Sequence, residues 1–216
     1  MRTSSENQIT IVLLRHGKTK GNEEHRYIGR TDEPLSEYGI RELLRQKKAG
    51  GIPNVDCLYE SPMQRCRMTG NLLYPEMIPV IVPEFAEIDF GAFEGKNYEE
   101  LRENTSYQRW LESGGTIAFP EGESREEFIM RQVRGFEKVW NHICERTWEE
   151  GTKRIGIIAH GGTIMALLSY YLGGEYFSYQ SENGTGYIGK VYGKKDNPQF
   201  FDVRKIKKTN NEEKTE

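Results

Sequence analysis

Two histidines follow apolar runs of the chain, and each is followed by glycine. His16 comes after QITIVLL as part of Arg-His-Gly, and His160 comes after RIGIIA as part of His-Gly-Gly. In open α/β sheets, ligands bind beyond the carboxyl ends of the strands, so the two imidazoles are expected at one shared site. The planar guanidinium group of Arg15 adds a positive charge and paired N–H donors that suit phosphate. The glycines let backbone amides approach an anion closely. The pattern predicts an anion-binding site with two imidazoles.

The elements that must position these residues follow from the apolar runs and the turn residues. Strands are predicted at 8–14, 57–59, 79–83, 154–159, 186–192 and 199–206, and helices from Ser36 onward, at 63–73, from Ser124 to about 150 and at 163–172. The alternation predicts an α/β fold, a three-layer sandwich with a mostly parallel central sheet flanked by helices. One domain is expected over 1–206, in which 97–123 is an insertion that could act as a lid, and 207–216 are expected as a polar, disordered tail.

Two helix starts carry capping signals. Ser36 can cap a helix in which Ile40, Leu43 and Leu44 share one face. Ser124-Arg-Glu-Glu127 is a capping box, in which the hydroxyl accepts from the third amide and the glutamate reaches back to the cap amide. Near the carboxyl end, the turn residues 194–198 are expected to separate the last two strands.

Composition and charge exclude several classes of protein. The 30 Lys and Arg residues against 33 Asp and Glu residues give a net charge of −3, which argues against bulk nucleic-acid binding. Twelve Tyr, nine Phe and three Trp residues argue against a disordered chain. Three cysteines without a C-x-x-C pair, a polar amino terminus and short apolar runs predict a cytoplasmic protein without structural zinc or membrane contact. The oligomeric state stays open, a homodimer included.

Five sequence blocks resemble one known family. Leu13-Leu14-Arg15-His16-Gly17-x-Thr19-x-x-Asn22 resembles the signature of the histidine phosphatase superfamily, which includes cofactor-dependent phosphoglycerate mutase. The other blocks follow in the family's order: Arg26-x-x-Gly29-x-x-Asp32-x-Pro34-Leu35-Ser36, Ser61-Pro62-x-x-Arg65-x-x-x-Thr69, Glu87-x-x-x-Gly91-x-Phe93-Glu94-Gly95 and Ala159-His160-Gly161-Gly162. The resemblance implies a phosphoglycerate mutase-like fold.

The resemblance also implies a mechanism that needs no metal and no cofactor. A neutral His16, its tautomer fixed by a backbone carbonyl, would attack phosphorus and form a phosphohistidine. Glu87 would protonate the leaving alcohol and then deprotonate water, and the adjacent phosphate dianion would raise its pKa. Arg15, Asn22, Arg65 and a protonated His160 are the implied phosphate ligands. Thr19, Ile28, Gly29 and Gly161 are the implied further substrate contacts.

The resemblance leaves three activities to compare. The leading one is hydrolysis of a small phosphorylated metabolite, and the others are a phosphoglycerate mutase-type transferase and an inert phosphate-binding module. Mutases carry a longer insertion with basic residues between the acid and the second histidine. Here the interval from Glu87 to His160 contains mainly aromatic residues and the capped helix, which favours a phosphatase.

The substrate signal is weaker than the family signal. Residues 87–101 and 119–128 resemble the α-ribazole phosphatase branch, which acts in a cobalamin pathway, whereas Lys18 stands where that pattern has Glu. A broad phosphomonoesterase is the alternative. Tyr107 and Trp110 would either stack on an aromatic base or pack as helix neighbours.

Other reactive or charged side chains are assigned ordinary roles. His142 is expected to be structural, and Cys66 is expected to be a buried thiol on a helix face. Lys205, Lys207 and Lys208 are expected to form a solvated surface.

Overall fold

The computed structural model describes residues 8–150, 153–195 and 197–208, without the side chains of 146–150. The strands are β1 (Ile9–Arg15), β2 (Cys57–Glu60), β3 (Val80–Ile81), β4 (Arg154–Ala159), β5 (Gly186–Lys194) and β6 (Asn197–Lys205). The helices are α1 (Lys20–Glu23), α2 (Glu37–Lys48), α3 (Gln64–Leu73), α4 (Tyr98–Leu101), α5 (Thr105–Glu112), α6 (Arg125–Glu150) and α7 (Gly161–Leu172). Short 3-10 turns lie at Pro83–Phe85, Gly91–Phe93 and Tyr176–Tyr179.

The strands form one six-stranded sheet in the order β3-β2-β4-β1-β5-β6. β1 lies near its centre, parallel to β4 and antiparallel to β5. Its side chains alternate between two apolar clusters, with Ile11 and Leu13 in one and Val12 and Leu14 in the other. A strand that is buried on both faces reads as a continuous apolar run, which is why β1 is recognisable in the sequence.

Helices cover both faces of the sheet. On one face, Phe136 and Trp140 of α6 and Leu167 of α7 pack in the cluster that contains Ile11. On the other face, Leu43 of α2 and Cys66 of α3 pack in the cluster that contains Val12. The prediction of a three-layer α/β sandwich with a mostly parallel sheet is confirmed.

The helix caps agree with the sequence, whereas one face and several boundaries differ, such as that of β3, which is two residues long rather than 79–83. The Ser36 side chain accepts a hydrogen bond from the Gly39 amide, and the capping box at Ser124 forms with Glu127. The prediction for Leu44 is wrong: it is 44% exposed, because it lies beyond the edge of the α2 stripe that Leu43 buries. Helix α7 begins at Gly161 rather than at residue 163. The last two strands reach Lys194 and Asn197, so the turn is shorter than 194–198.

Residues 97–123 contain the short helices α4 and α5 and a third apolar cluster. Tyr107 is 2% exposed and packs with Phe93 and Phe119 in that cluster, with Trp110 against its edge. The Tyr27 hydroxyl lies 2.9 Å from the Tyr107 hydroxyl. Helix packing is therefore the role of Tyr107, and movement of the segment as a lid stays a prediction.

The carboxyl-terminal lysines are less uniform than expected. Lys208 lies 3.2 Å from a carboxylate oxygen of Glu42 and 3.4 Å from one of Glu182, so it is a partly exposed side chain that forms ion pairs at the surface. The rest of the predicted tail, 209–216, falls outside the described residues. None of the helices in the described ranges has the length and apolar character needed to cross a bilayer.

Candidate active site

The two histidines meet because their strands are neighbours in the sheet. Arg15 pairs in register with Ala159, so β1 and β4 end side by side. The His16 amide donates to the Ala159 carbonyl at 3.0 Å. The two imidazole rings lie 5.2 Å apart between centroids, at an interplanar angle of 66°. Parallel pairing thus places both rings at one edge of the sheet, as ligand sites in such folds require.

The His16 ring is oriented by backbone. Its Nδ1 lies 2.6 Å from the Gly17 carbonyl oxygen, and the Gly17 amide donates to Thr69 Oγ1 at 3.0 Å. A proton on Nδ1 leaves the lone pair of Nε2 free. Burial lowers the pKa of His16 well below its usual value, and the charges of Arg65 and Arg15 lower it further. The site therefore favours the neutral, nucleophilic form of this imidazole.

His160 is held by two side chains from the S-P-x-x-R block. Ser61 Oγ lies 2.7 Å from its Nε2, and the buried Cys66 thiol lies 3.6 Å from the same atom. Burial, Arg65 and His16 lower the pKa of His160 well below its usual value. Without substrate the site therefore favours the neutral imidazole, and protonation of His160 beside a phosphoryl group stays a prediction. A phosphoryl dianion beside the ring favours the imidazolium, so the proton would arrive with the substrate.

Two guanidinium groups keep unused donors in the site. Arg65 is almost fully buried and donates to the carbonyls of Thr31 at 2.8 Å and Gly29 at 2.9 Å. Arg15 donates to the Ser181 carbonyl at 2.8 Å. Among the residues that the structure describes, the buried Nε of each arginine has no hydrogen-bond partner. Buried donors without partners are costly, so this pair suits an anion that accepts from both.

Helix α1 fixes the predicted ligand Asn22. Thr19 Oγ1 accepts from the Asn22 amide at 3.2 Å, and Asn22 Oδ1 accepts from the Thr19 amide at 3.3 Å. Asn183 also donates to Asn22 Oδ1, at 2.9 Å. With its oxygen engaged twice, Asn22 keeps its side-chain N–H groups for a ligand. Thr19 is the cap of a helix as well as a predicted substrate contact.

Glu87 is buried next to the start of α7. Its side chain is almost completely enclosed, and Oε1 accepts from the Ile88 amide at 3.0 Å. A Cβ at Gly162 would overlap this carboxylate, so the glycine allows the close approach. Burial raises the pKa of Glu87, against the lowering effect of Arg65 and Arg15. A carboxyl group that keeps its proton in this way can act as a general acid.

Helix α6 holds the segment that carries Glu87. The Arg131 guanidinium donates to the carbonyls of Glu84, Ala86 and Glu87, at 2.7, 2.8 and 3.2 Å. It also pairs with Glu123 at 2.6 Å. One side chain thereby fixes the path of the chain into the proposed acid.

A cavity of about 390 Å³ opens onto this site. Arg15, Glu87 and Gly161 line its polar end, and apolar and aromatic side chains form most of the remainder. These are Tyr27, Ile88, Phe90, Trp110, Phe119, Met165, Tyr176 and Phe177. Arg125 also lines the wall. In the part of the chain that the structure describes, no group of three or more His, Cys, Asp or Glu side chains could hold a metal ion.

The structure brings most of the predicted site residues together, whereas two of them contact the site only through Arg65. His16, His160, Arg15, Arg65 and Glu87 share the site. The carbonyls of Ile28 and Gly29 accept from Arg65, at 3.4 and 2.9 Å, and neither residue is among the described residues that line the cavity. Their role as substrate contacts stays a prediction.

Sequence reasoning missed several residues that support the site. They are Ser61, Thr69, Asn183 and Arg131, together with Arg125 in the cavity wall. The S-P-x-x-R-x-x-x-T block contained Ser61 and Thr69, and their side-chain chemistry was a usable signal. The other three have no local signal, because only the tertiary fold brings them to the site.

The family model of the histidine phosphatase superfamily (branch 1) matches residues 11–188. The chain belongs to the histidine phosphatase superfamily. This confirms the family and the enzyme class, a phosphatase, that five short blocks indicated. It also agrees with the two facing imidazoles that the strand ends place together.

Relatives of this histidine phosphatase carry different activities in their names. Phosphoserine phosphatase 1 of Hydrogenobacter thermophilus is 25% identical over 82% of this chain and 84% of its own length. A 2,3-bisphosphoglycerate-dependent phosphoglycerate mutase of Chlamydia muridarum is 27% identical over 73% and 81%. The crystal structure of the α-ribazole phosphatase from Shigella flexneri superposes with a TM-score of 0.73 at 20% identity, over 89% of this chain and 95% of that one. At that identity the likeness concerns the fold.

Proposed function

We propose that this histidine phosphatase is a metal-independent phosphomonoester hydrolase that acts through a phosphohistidine on a small phosphorylated metabolite. The observation that carries the proposal is the meeting of two imidazoles, 5.2 Å apart, with two arginines whose buried Nε atoms have no hydrogen-bond partner in the described part of the chain. Phosphoryl transfer needs mainly positioning and charge compensation, and this set of donors provides both.

In the first step, the Nε2 lone pair of His16 attacks phosphorus. The N–P bond forms as the bond to the ester oxygen breaks, and Glu87 gives its proton to the leaving alcohol. Arg15, Arg65, Asn22 and the Gly161 amide stabilise the charge on the equatorial oxygens. In the second step, the carboxylate of Glu87 takes a proton from water, whose oxygen attacks phosphorus and releases His16.

The single candidate substrate is α-ribazole 5′-phosphate, which would place the enzyme in cobalamin assembly. The resemblance of residues 87–101 and 119–128 to that branch supports it, and the fold likeness is compatible with it. The aromatic wall that includes Phe90, Trp110 and Phe119 suits a flat base. A broad phosphomonoesterase that shares this cavity is the alternative.

A mutase is the second candidate, and the phosphoglycerate mutase relatives are the reason to test it. A phosphoglycerate carboxylate needs cations beyond those that bind phosphate. In the described lining of the cavity, Arg125 is the one cation besides Arg15, and the remaining wall is largely apolar. This composition favours hydrolysis of a less polar ester.

The test is phosphate release from 4-nitrophenyl phosphate in the presence of a chelator. Wild-type enzyme should turn over, and His16→Ala should lose about 1,000-fold or more in kcat, because no nucleophile remains. The matched control is His142→Ala, whose ring bonds the Tyr59 hydroxyl on the α6 face, and it should keep activity. Full activity in His16→Ala would overturn the covalent route. Conversion of 3-phosphoglycerate with a bisphosphate primer, without release of phosphate, would establish the mutase instead.

A further inference from the structure

One charged side chain in the cavity wall has no part in the phosphoryl chemistry. Arg15 and Glu87 belong to the reacting end, whereas Arg125, the first residue of α6, lines the wall among aromatic rings. Within the described residues it forms no ion pair with a carboxylate. A cation that lines an apolar cavity without a counter-ion is a candidate for ligand binding.

The Arg125 guanidinium is held in a fixed place. Its central carbon lies 5.2 Å from the centroid of the Tyr176 ring and 5.0 Å from that of Phe177. One Nη2–H donates to the Gly114 carbonyl. A Cβ at Gly115 would lie 2.8 Å from Nη2, and φ there is +68°, so the glycine turn makes room for the group. Stacking and a single hydrogen bond fix the plane but use only one of five N–H donors.

We propose that Arg125 is a specificity-determining residue that binds a hydrogen-bond acceptor on the alcohol portion of the substrate. The rings around it hold the apolar body of that portion, and the phosphoryl group lies at the Arg15 end. The substrate class is thus a phosphomonoester with an apolar or aromatic body that also carries an acceptor, for which a carboxylate is the strongest probe. This inference rests on the proposed function.

A purely structural role for Arg125 predicts a different result. The side chain connects the Gly114 turn to the Tyr176 turn, so its loss could loosen the wall for every substrate alike. Binding of an acceptor predicts a loss that depends on the ester. Phenyl phosphate lacks the acceptor, whereas 3-carboxyphenyl and 4-carboxyphenyl phosphate present it at two positions on the same ring.

The experiment measures kcat/KM of wild type, Arg125→Met and Arg125→Gln on these three esters. For at least one carboxylated ester, both variants should lose about 10- to 100-fold more than for phenyl phosphate, mainly in KM. The matched control is Arg109→Met on the exposed face of α5, which should treat the three esters as wild type does.

Two results would overturn the inference alone: equal losses on all three esters, or no loss on any of them. If wild type releases phosphate from none of the esters, the proposed function fails, and this inference fails with it. Using two variants of different polarity separates loss of the acceptor contact from poor folding of either one.

Discussion

The four basic side chains of the site are each held by neutral partners. His16 is held by the Gly17 carbonyl, His160 by the Ser61 hydroxyl, and Arg15 and Arg65 by main-chain carbonyls. Neutral acceptors orient the two arginines without cancelling their charge, and neutral partners orient the two imidazoles, whose lowered pKa values favour the neutral form. The positive potential is therefore kept for the phosphoryl group, which is the arrangement that electrostatic stabilisation of a transition state requires.

Ser61 acts through His160, and its removal tests this positioning role. Ser61→Ala should lower kcat about 10-fold with a smaller change in KM, because the imidazole loses the 2.7 Å partner of its Nε2. Ser61→Thr keeps a hydroxyl and should recover part of the rate. The exposed Ser106→Ala on α5 is the control for a loss of one hydroxyl. Steady-state kinetics with one aryl phosphate measures all four proteins, and an unchanged kcat in Ser61→Ala would contradict the role.

The acid role of Glu87 predicts a pH profile with a definite sign. Burial raises the pKa of this carboxyl, and the first step needs the protonated form. The value of kcat/KM should therefore fall as the pH rises through that raised pKa. Glu87→Gln should lose this alkaline limb when 4-nitrophenyl phosphate, whose leaving group needs little protonation, is the substrate. An alkaline limb that survives in Glu87→Gln would assign the titration to another group.

Among single residues, those within contiguous motifs were predictable. His16, Arg15 and Arg65 lie in short sequence blocks whose spacing can be recognised without the structure. The protonation state of His160 does not follow from its own block, because it depends on burial and on the charges of four residues from other segments: Arg65, His16, Arg15 and Arg131. Arg125 was visible only as part of a capping box, since nothing local indicates that it lines a cavity.

At the scale of elements, helix α6 positions the segment that carries the proposed acid. Arg131 donates to the carbonyls of Glu84, Ala86 and Glu87. Gln132 donates to the first two of these carbonyls, at 2.8 and 3.2 Å. Both side chains come from the first two turns of α6, which the capping box at Ser124 fixes. The helix therefore determines where the proposed acid lies.

Removal of Arg131 should destabilise the fold and displace the acid. Arg131→Met should lower the free energy of unfolding by about 3 kcal/mol, because Glu123 and several carbonyls lose a partly buried partner. Activity should fall with it. Arg134→Met, on the exposed side of the same helix, is the control and should change stability by less than about 0.5 kcal/mol. Urea denaturation measures both, and equal midpoints would contradict the structural account.

Strand β2 ends in a buried carboxyl group. Glu60 is 1% exposed, and neither of its oxygens has a hydrogen-bond partner within the described ranges. The carboxyl group fits beneath α3 because residue 70 is a glycine. A Cβ at Gly70 would overlap Oε1. Burial raises the pKa of Glu60 from 4.5 to about 7, and the charge of Arg67 opposes this only in part. The folded protein thus keeps a proton that the unfolded chain releases at lower pH.

This difference predicts that stability decreases as the pH rises from about 4.5 to about 7. In that window the folded state binds more protons than the unfolded state, so the contribution of Glu60 falls by about 3 kcal/mol. In Glu60→Gln, this part of the decrease in unfolding free energy with rising pH should be absent. The difference between the two proteins isolates Glu60, because Glu87 titrates in both. Denaturant unfolding across the window measures it, and parallel slopes would contradict the prediction.

Element boundaries were predicted where a side chain caps the helix and less well where packing decides. Ser36 and Ser124 fixed two helix starts. The predicted start of α7 is two residues late, because paired glycines are typical of a loop, whereas here they allow Arg15 and Glu87 to approach the first turn. The pattern places Leu44 on the same face as Leu43, because the pattern alone does not set the width of the buried stripe.

At the scale of the whole molecule, inorganic phosphate should raise the stability of the fold, because Arg15 and Arg65 keep guanidinium donors that can bind it. Binding to the native state alone adds about 2.7 kcal/mol at one hundred times Kd, which corresponds to a rise in Tm of roughly 5 to 10 °C. Arg65→Lys loses the planar fork and should show a smaller rise. Scanning calorimetry measures the rise, with sodium chloride at equal ionic strength as the control. The absence of a rise in wild type would contradict a phosphate site.

The overall architecture was predictable because strand and helix patterns alternate and both faces of β1 and β4 are apolar. The meeting of the two histidines followed from parallel pairing of those strands. The cavity did not follow, because its wall combines rings from segments near residues 27, 90, 110, 119 and 176 that no periodicity connects. Long-range packing decides such a surface.

The position of β1 in the middle of the sheet has a consequence for biosynthesis. The strand made first must wait for β4 and β5, which leave the ribosome more than a hundred residues later. Until then the apolar faces of β1 have no neighbouring strands to pair with. A translation product truncated before β4 would therefore be inactive and would expose an apolar segment that chaperones bind. The two imidazoles can therefore meet in the sheet only after synthesis has passed β4.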